Sequence, residues 1–230
     1  MGKSGTHVTR EAASLMITDD NLAILVAGIE EGRTTLENIR RSLGYLLGTN
    51  LGEMVLMLGA TLIGLPLPLL PLQLLWINLL GNGLPALGLG LLPPDQGIME
   101  RPPLRQDSLL NRDFYRDVFR SGVVSGLASL LAFSQSLSLG DVAKARTLAL
   151  INVTEQQILY SFAHCLPGRM TRLMVLSALA SAGLTGLVIA WPWARRVFHT
   201  APPPLGELLP SLPWMVLPPL LEMGIRYRKK

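Results

Sequence analysis

The chain has 230 residues, 49% of them hydrophobic and 16% charged, with a mean hydropathy of +0.39 and a net charge of +4. A soluble domain of this length carries about a quarter charged residues, whereas Glu53 and Asp95 are the only charges between Ser42 and Met99, which excludes an ordinary water-soluble fold. The pI near 9.6 arises from basic residues in short connecting segments and at the carboxy end, so no nucleic-acid partner is expected, and with one cysteine, Cys165, neither an internal disulfide nor a thiolate metal cluster can form.

Residues 1–41 form the extended polar region. No apolar core follows the first charges, so this is not a signal peptide. Asp19, Asp20 and Asn21 make a helix-start cluster, and the pattern through Ile24, Leu25, Ile29, Glu30 and Glu31 predicts a helix that runs past Arg33, Arg40 and Arg41 into the first apolar stretch. A spanning helix needs about 20 apolar residues, and about six such segments follow, near 43–63, 70–91, 118–137, 147–163, 173–191 and 208–225. Gly64-Leu65-Pro66-Leu67-Pro68 joins the first two as a tight antiparallel hairpin, Pro93–Arg116 is a polar loop, and Ala201-Pro202-Pro203-Pro204 separates the last two. The expected fold is an all-α membrane protein: a polytopic bundle over 42–230 behind a short cytoplasmic N-terminal segment. Counting Lys and Arg on alternate sides puts 16 on one side and 4 on the other, which predicts that both termini are cytoplasmic.

Polar side chains inside apolar segments are costly and mark transport routes or counter-ions. Asn50 and Glu53 are three apart in the first span, and Gly48 and Gly52 beside them permit close backbone approach. Asn78 and Asn82 are four apart in the second, where Gly81-Asn82-Gly83 followed by Pro85 favours local unwinding. Freed carbonyls there could join side chains as hard oxygen ligands, and the hairpin can bring one carboxylate and three amides together. The plainer alternative is that the asparagines only bond helices to one another. Glu53 has no Lys or Arg nearby, so it must be protonated, solvated or bound to a cation. Asn152, Thr154, Glu155, Gln156 and Gln157 crowd the fourth span, where helix packing competes with a ligand role for Glu155 or Gln157. Glu222 is expected to pair with Arg226 at the cytoplasmic interface. His7, His164 and His199 have no partner at metal-ligand spacing.

Several motifs resemble one family. Gly5-Thr6-His7-Val8, Ala12-Ala13-Ser14 and Ile17-Thr18-Asp19-Asp20-Asn21 resemble the segment closing the phosphorylation domain of P-type ATPases of the calcium-pump type. Glu30-Glu31-Gly32-Arg33 is similar to the stalk that follows, and Asn50-Leu51-Gly52-Glu53 to the fifth-helix motif. Leu74 to Leu79 with Gly83-Leu84-Pro85-Ala86 is similar to the sixth helix, and Met99 to Pro103 to the loop beyond it. The resemblance implies that residues 1–41 end the phosphorylation domain and form the stalk, and that the spans are transmembrane helices five to ten. It implies cation ligands at Asn50, Glu53, Asn78, Asn82 and Gln157. It departs in the sixth helix, where the family has an acidic residue and this chain has Gly81-Asn82, so a monovalent ion or a proton joins calcium as candidate cargo.

No Asp-Lys-Thr-Gly-Thr phosphorylation motif, Thr-Gly-Glu loop, Gly-Asp-Gly motif or Pro-Glu-Gly-Leu-Pro motif occurs in the sequence. Catalytic residues and cofactors are therefore expected to be absent from this chain, with ATP and Mg2+ serving the complete pump. The expected function is the transmembrane half of an ATP-driven cation transporter in the plasma or inner membrane of a prokaryote. Its partners would be the bilayer, the cation and the missing amino-terminal half. The alternatives are a non-catalytic remnant or regulatory subunit and a passive channel.

Overall fold

The computed structural model describes residues 6–17, 21–102, 110–165 and 170–228. A short helix α1 (His7–Ala12) is capped by Thr6, while Asp19 and Asp20 of the expected helix start lie outside the described residues. Asn21 does accept from the Ala23 backbone amide at 3.0 Å. From there α2 (Ala23–Leu62) runs 40 residues without a break, about 60 Å at the usual rise, so the polar stretch after Asn21 and the first apolar stretch are one rod.

After a turn, α3 (Pro71–Trp76), a π turn over Ile77–Gly81 and α4 (Gly83–Gly90) form one broken rod antiparallel to α2. Asn38 of α2 lies beside Gly90 and Leu92, and Glu53 beside Asn78. Then follow α5 (Arg112–Leu137), α6 (Val142–His164), α7 (Arg172–Ala190), a short α8 (Pro192–Phe198), and α9 (Leu205–Leu208) leading through a 3-10 turn into α10 (Leu212–Arg228). Among the described residues every regular element is helical.

Four of these rods are long and apolar enough to cross a membrane: α2, the α3–α4 rod, α7 and the α9–α10 segment. The helices α5 and α6, at 26 and 23 residues, are long enough but too polar by composition. Their polarity is turned inward. Ser121, Ser125 and Ser129 of α5 and Asn152, Thr154, Gln156 and Gln157 of α6 are all buried, while Leu127 and Leu131 are exposed in the middle of α5 and Glu155 is half-buried on α6.

The tightest contact is α2 against α5. A methyl group at Gly126 would lie 2.6 Å from the Gly52 carbonyl oxygen, and one at Gly122 would lie 2.9 Å from that of Gly48. No side chain fits there, and the close backbone approach supplies dispersion contact where lipid offers no hydrophobic drive. Two apolar clusters form, one around Leu56, Ile77, Phe133 and Val153, the other around Tyr45, Leu89, Tyr160 and Met174. Glu53 lies along α2 between their Tyr45 and Leu56.

Candidate cation site

The irregular turn in the α3–α4 rod is a π turn, which corrects the expected unwinding. The Asn82 amide donates to the Ile77 carbonyl, five residues back, at 2.7 Å, and Asn82 keeps helical backbone angles. The glycines on either side weaken the α pattern, but an apolar surround favours a widened helix, which keeps most backbone groups bonded, over a melted one. Proline causes the remaining defect. Pro85 has no N–H for the Gly81 carbonyl, and Ser181 of α7 donates to that oxygen instead at 3.2 Å. The same device recurs in α10, where Pro218 leaves the Trp214 carbonyl free and Gln156 Nε2 donates to it at 2.9 Å.

Around the turn three carboxamides converge on one carboxylate. Asn78 Nδ2 donates to Glu53 Oε2 at 2.9 Å. Asn82 Nδ2 and Gln157 Nε2 donate to Glu53 Oε1 at 3.3 and 2.8 Å. Glu53 is 6% exposed, and neither Lys nor Arg contacts it in the ion pairs among the described residues. The Tyr45 hydroxyl donates to Asn82 Oδ1 at 3.2 Å, which orients that amide with its N–H toward Glu53. Gln157 Oε1 is buried without a hydrogen-bond partner, close to Gly81.

The arrangement has a definite chemistry. An ionised carboxylate only accepts hydrogen bonds, and three N–H dipoles meet that need while leaving its unit charge without a counter-ion. The terminal torsions of Asn and Gln are broad, so each amide can turn its oxygen inward when a cation arrives. Gln157 Oε1 has no bond to break in doing so. No group of three or more His, Cys, Asp or Glu side chains is placed to hold a metal ion among the described residues, so any ion held here meets one carboxylate and neutral oxygens.

Of the five residues expected to form the cage, the structure brings together Glu53, Asn78, Asn82 and Gln157 and leaves Asn50 out. Asn50 is exposed, in a stripe with Leu47, Met54 and Leu58. Three helical steps turn a side chain by 300°, and the missing 60° carries it off the interface. Asn78 is also exposed although it reaches Glu53, so the cluster opens to the outer surface at Asn78. Asn152 and Gln156 of α6 bond to neighbouring helices instead, and Glu155 is half-buried outside the cluster. Asn152 Oδ1 accepts from Ser129, and Gln156 Oε1 accepts from Ser125 and Ser129. Tyr45 and Ser181 escape a reading by motif, because an aromatic and a serine in apolar helices carry no local signal.

At the end of the bundle where α6 and α10 stop, Glu222 pairs with Arg226 Nε at 2.7 Å, as expected, and also with Arg120 Nη2 of α5 at 2.9 Å. Arg226 Nη2 lies 2.7 Å from His164 Nε2. His164 Nδ1 faces the Tyr160 carbonyl at 2.9 Å, so it is Nδ1 that carries the proton and Nε2 that accepts.

The family described as cation transporting ATPase, C-terminus, matches residues 66–227. The chain is 34% identical to a calcium-transporting ATPase of Bacillus subtilis (strain 168), over 100% of this chain and 27% of that protein. It is 41% identical to calcium-transporting ATPase 1 of Bacillus cereus (strain ATCC 10987 / NRS 248) over 58% of this chain and 15% of the relative. It is 42% identical to the endoplasmic reticulum-type calcium-transporting ATPase 4 of Arabidopsis thaliana over 48% of this chain and 10% of the relative. The chain thus spans about a quarter or less of the length of these curated relatives. With apolar helices long enough to cross a bilayer and a family match over most of its length, this integral membrane chain belongs to the cation-transporting ATPases and carries their carboxy-terminal transmembrane region.

Proposed function

We propose that the chain supplies the carboxy-terminal half of the cation route in an ATP-driven pump, with Glu53 as the ion-binding carboxylate and Asn78, Asn82 and Gln157 as its adjustable amide ligands. The observation that carries this reading is the convergence of three carboxamides, from two separate rods, on a buried carboxylate that no arginine or lysine among the described residues neutralises. In this reading α5 and α6 cross the bilayer with the other rods, giving six spans, and both termini are cytoplasmic. Residues 1–41 end the phosphorylation domain and form the stalk that transmits its movement. ATP, Mg2+ and the phosphorylated aspartate belong to the rest of the pump.

Asn50 has its place in this scheme. It is a polar side chain in an apolar stripe, and helices from the rest of the pump covering that stripe would turn it into a ligand. One carboxylate matches one monovalent charge. Calcium, which the relatives are named for transporting, would need further acidic ligands from the covering helices.

The test is equilibrium binding of calcium, sodium and potassium to the pump assembled from this chain and the half bearing the Asp-Lys-Thr-Gly-Thr motif. Glu53→Gln should weaken binding of each ion that the assembled pump takes up by roughly a hundredfold. Unaltered affinity in that variant refutes the site.

A second reading, a non-catalytic membrane protein descended from a pump, has one observation in its favour: the amides already satisfy the carboxylate as donors. It predicts that Glu53→Gln leaves ion uptake by cells unchanged.

A further inference from the structure

The end of the bundle at which α5 begins and α6 and α10 stop holds a cavity of about 400 Å³. Arg40 and Arg41 of α2, Arg101 of the loop after α4, Asp117 of α5 and Arg226 of α10 line it. Most of these charges are already paired. Arg41 holds Glu37 at 3.0 Å and Asp95 at 2.7 Å, Arg226 holds Glu222, and Asp117 meets Arg120 at 3.2 Å.

Two guanidiniums are left over. Arg40 donates to the Asn111 side-chain oxygen at 3.2 Å and lies 6.0 Å from the centre of the Phe114 ring, with no carboxylate beside it among the described residues. Arg101 reaches Asp95 only at 3.6 Å, on the oxygen that Arg41 already holds at 2.7 Å. Its side chain remains 56% exposed.

We propose that this cavity binds the phosphate of a phospholipid headgroup between Arg40 and Arg101. Guanidinium forks match phosphate oxygens in pairs and hold their charge under all conditions. The level is right as well: the apolar stretch of α2 begins directly after Arg41, and α10 ends in Arg226 and Arg228, so the cavity lies in the boundary layer where lipid phosphates reside. Charge selects the diester. Glu37, Asp95 and Asp117 line the same cavity and oppose a second negative charge, so the singly charged phosphodiester of a lipid fits better than the more highly charged inorganic phosphate. The Phe114 ring, under Arg40 and against the cavity, offers an apolar wall for the glycerol carbons. This site is separate from the cage at Glu53 and does not rest on its role.

The test uses the full chain, purified in detergent and delipidated, with phosphatidylglycerol or inorganic phosphate as the probe and native mass spectrometry as the readout. The unaltered chain should retain phosphatidylglycerol. The pair Arg40→Gln and Arg101→Gln should lower its occupancy at least fivefold, while Arg196→Gln on α8, which does not line the cavity, should leave it unchanged. Arg101→Gln alone should give a partial loss and covers the case in which the double variant fails to fold. Equal retention by the Arg101→Gln chain and the unaltered chain overturns the proposal. So does displacement of the lipid by an equal concentration of inorganic phosphate, which would make this a free-anion site.

Discussion

Two glutamates in this bundle are nearly equally hidden, Glu53 at 6% and Glu222 at 2% exposure, yet they are held in opposite ways. Glu222 sits between two arginines at 2.7 and 2.9 Å, so its charge is cancelled by fixed, permanent cations. Glu53 is held by three amides, dipoles that solvate the oxygens without cancelling the charge. The first arrangement ties α5 to α10 and has no use for a mobile ion. The second leaves the charge unbalanced among the described residues, and the proposed cation role rests on that.

The contrast can be broken at either end. Glu222→Gln leaves Arg226 without its counter-charge and Arg120 with Asp117 alone, and losing one partner of a buried pair costs about 3–5 kcal/mol. Thermal unfolding in detergent should show that drop, with cation affinity of the assembled pump unchanged. Glu53→Gln should do the reverse. The midpoint of unfolding stays close to that of the unaltered chain, while losing a charged ligand worth about 2–3 kcal/mol weakens cation binding by roughly a hundredfold. Equal destabilisation by the two variants would mean that the glutamates do the same structural work.

Smaller changes sharpen the comparison. Asn82→Asp adds a second charge to the cage, and direct binding measurements should show calcium gaining at least tenfold, about 1.4 kcal/mol, relative to potassium. Unchanged selectivity would place the ion elsewhere. Ser181→Ala removes the donor to the Gly81 carbonyl, and interhelical bonds of this kind in membranes are worth about 0.6 kcal/mol. A slight fall in thermal midpoint is expected, and a large change in ion affinity would show that this carbonyl, too, serves the ion.

Much of the cage was legible because polar groups in apolar helices are expensive. Glu53, Asn78, Asn82 and Gln157 each stand out against their surroundings, and the hairpin places the first three within reach of one another. The structure sets Asn50 outside the amide cluster because of its spacing of three from Glu53. That spacing is 60° short of a turn, and Glu53 lies near enough to the edge of the interface for that angle to decide. The kink was legible as a weakness at Gly81-Asn82-Gly83. Its form was not, because the choice between an unwound and a widened turn depends on which outside groups take the stranded carbonyl. Ser181 is 100 residues away from Gly81, and no local pattern announces it.

Hydropathy and charge by themselves determined that the chain is a helical membrane protein and that α2 and the α3–α4 rod form a hairpin, because burying backbone in lipid leaves few other solutions. The distribution of Lys and Arg set the expected orientation. Only the packed structure decided which polar side chains meet. Contact between helices depends on rotation about each axis, and that rotation is fixed jointly by the close approach at Gly122 and Gly126, by prolines whose stranded carbonyls need donors from other helices, and by arginines that hold the bundle end together.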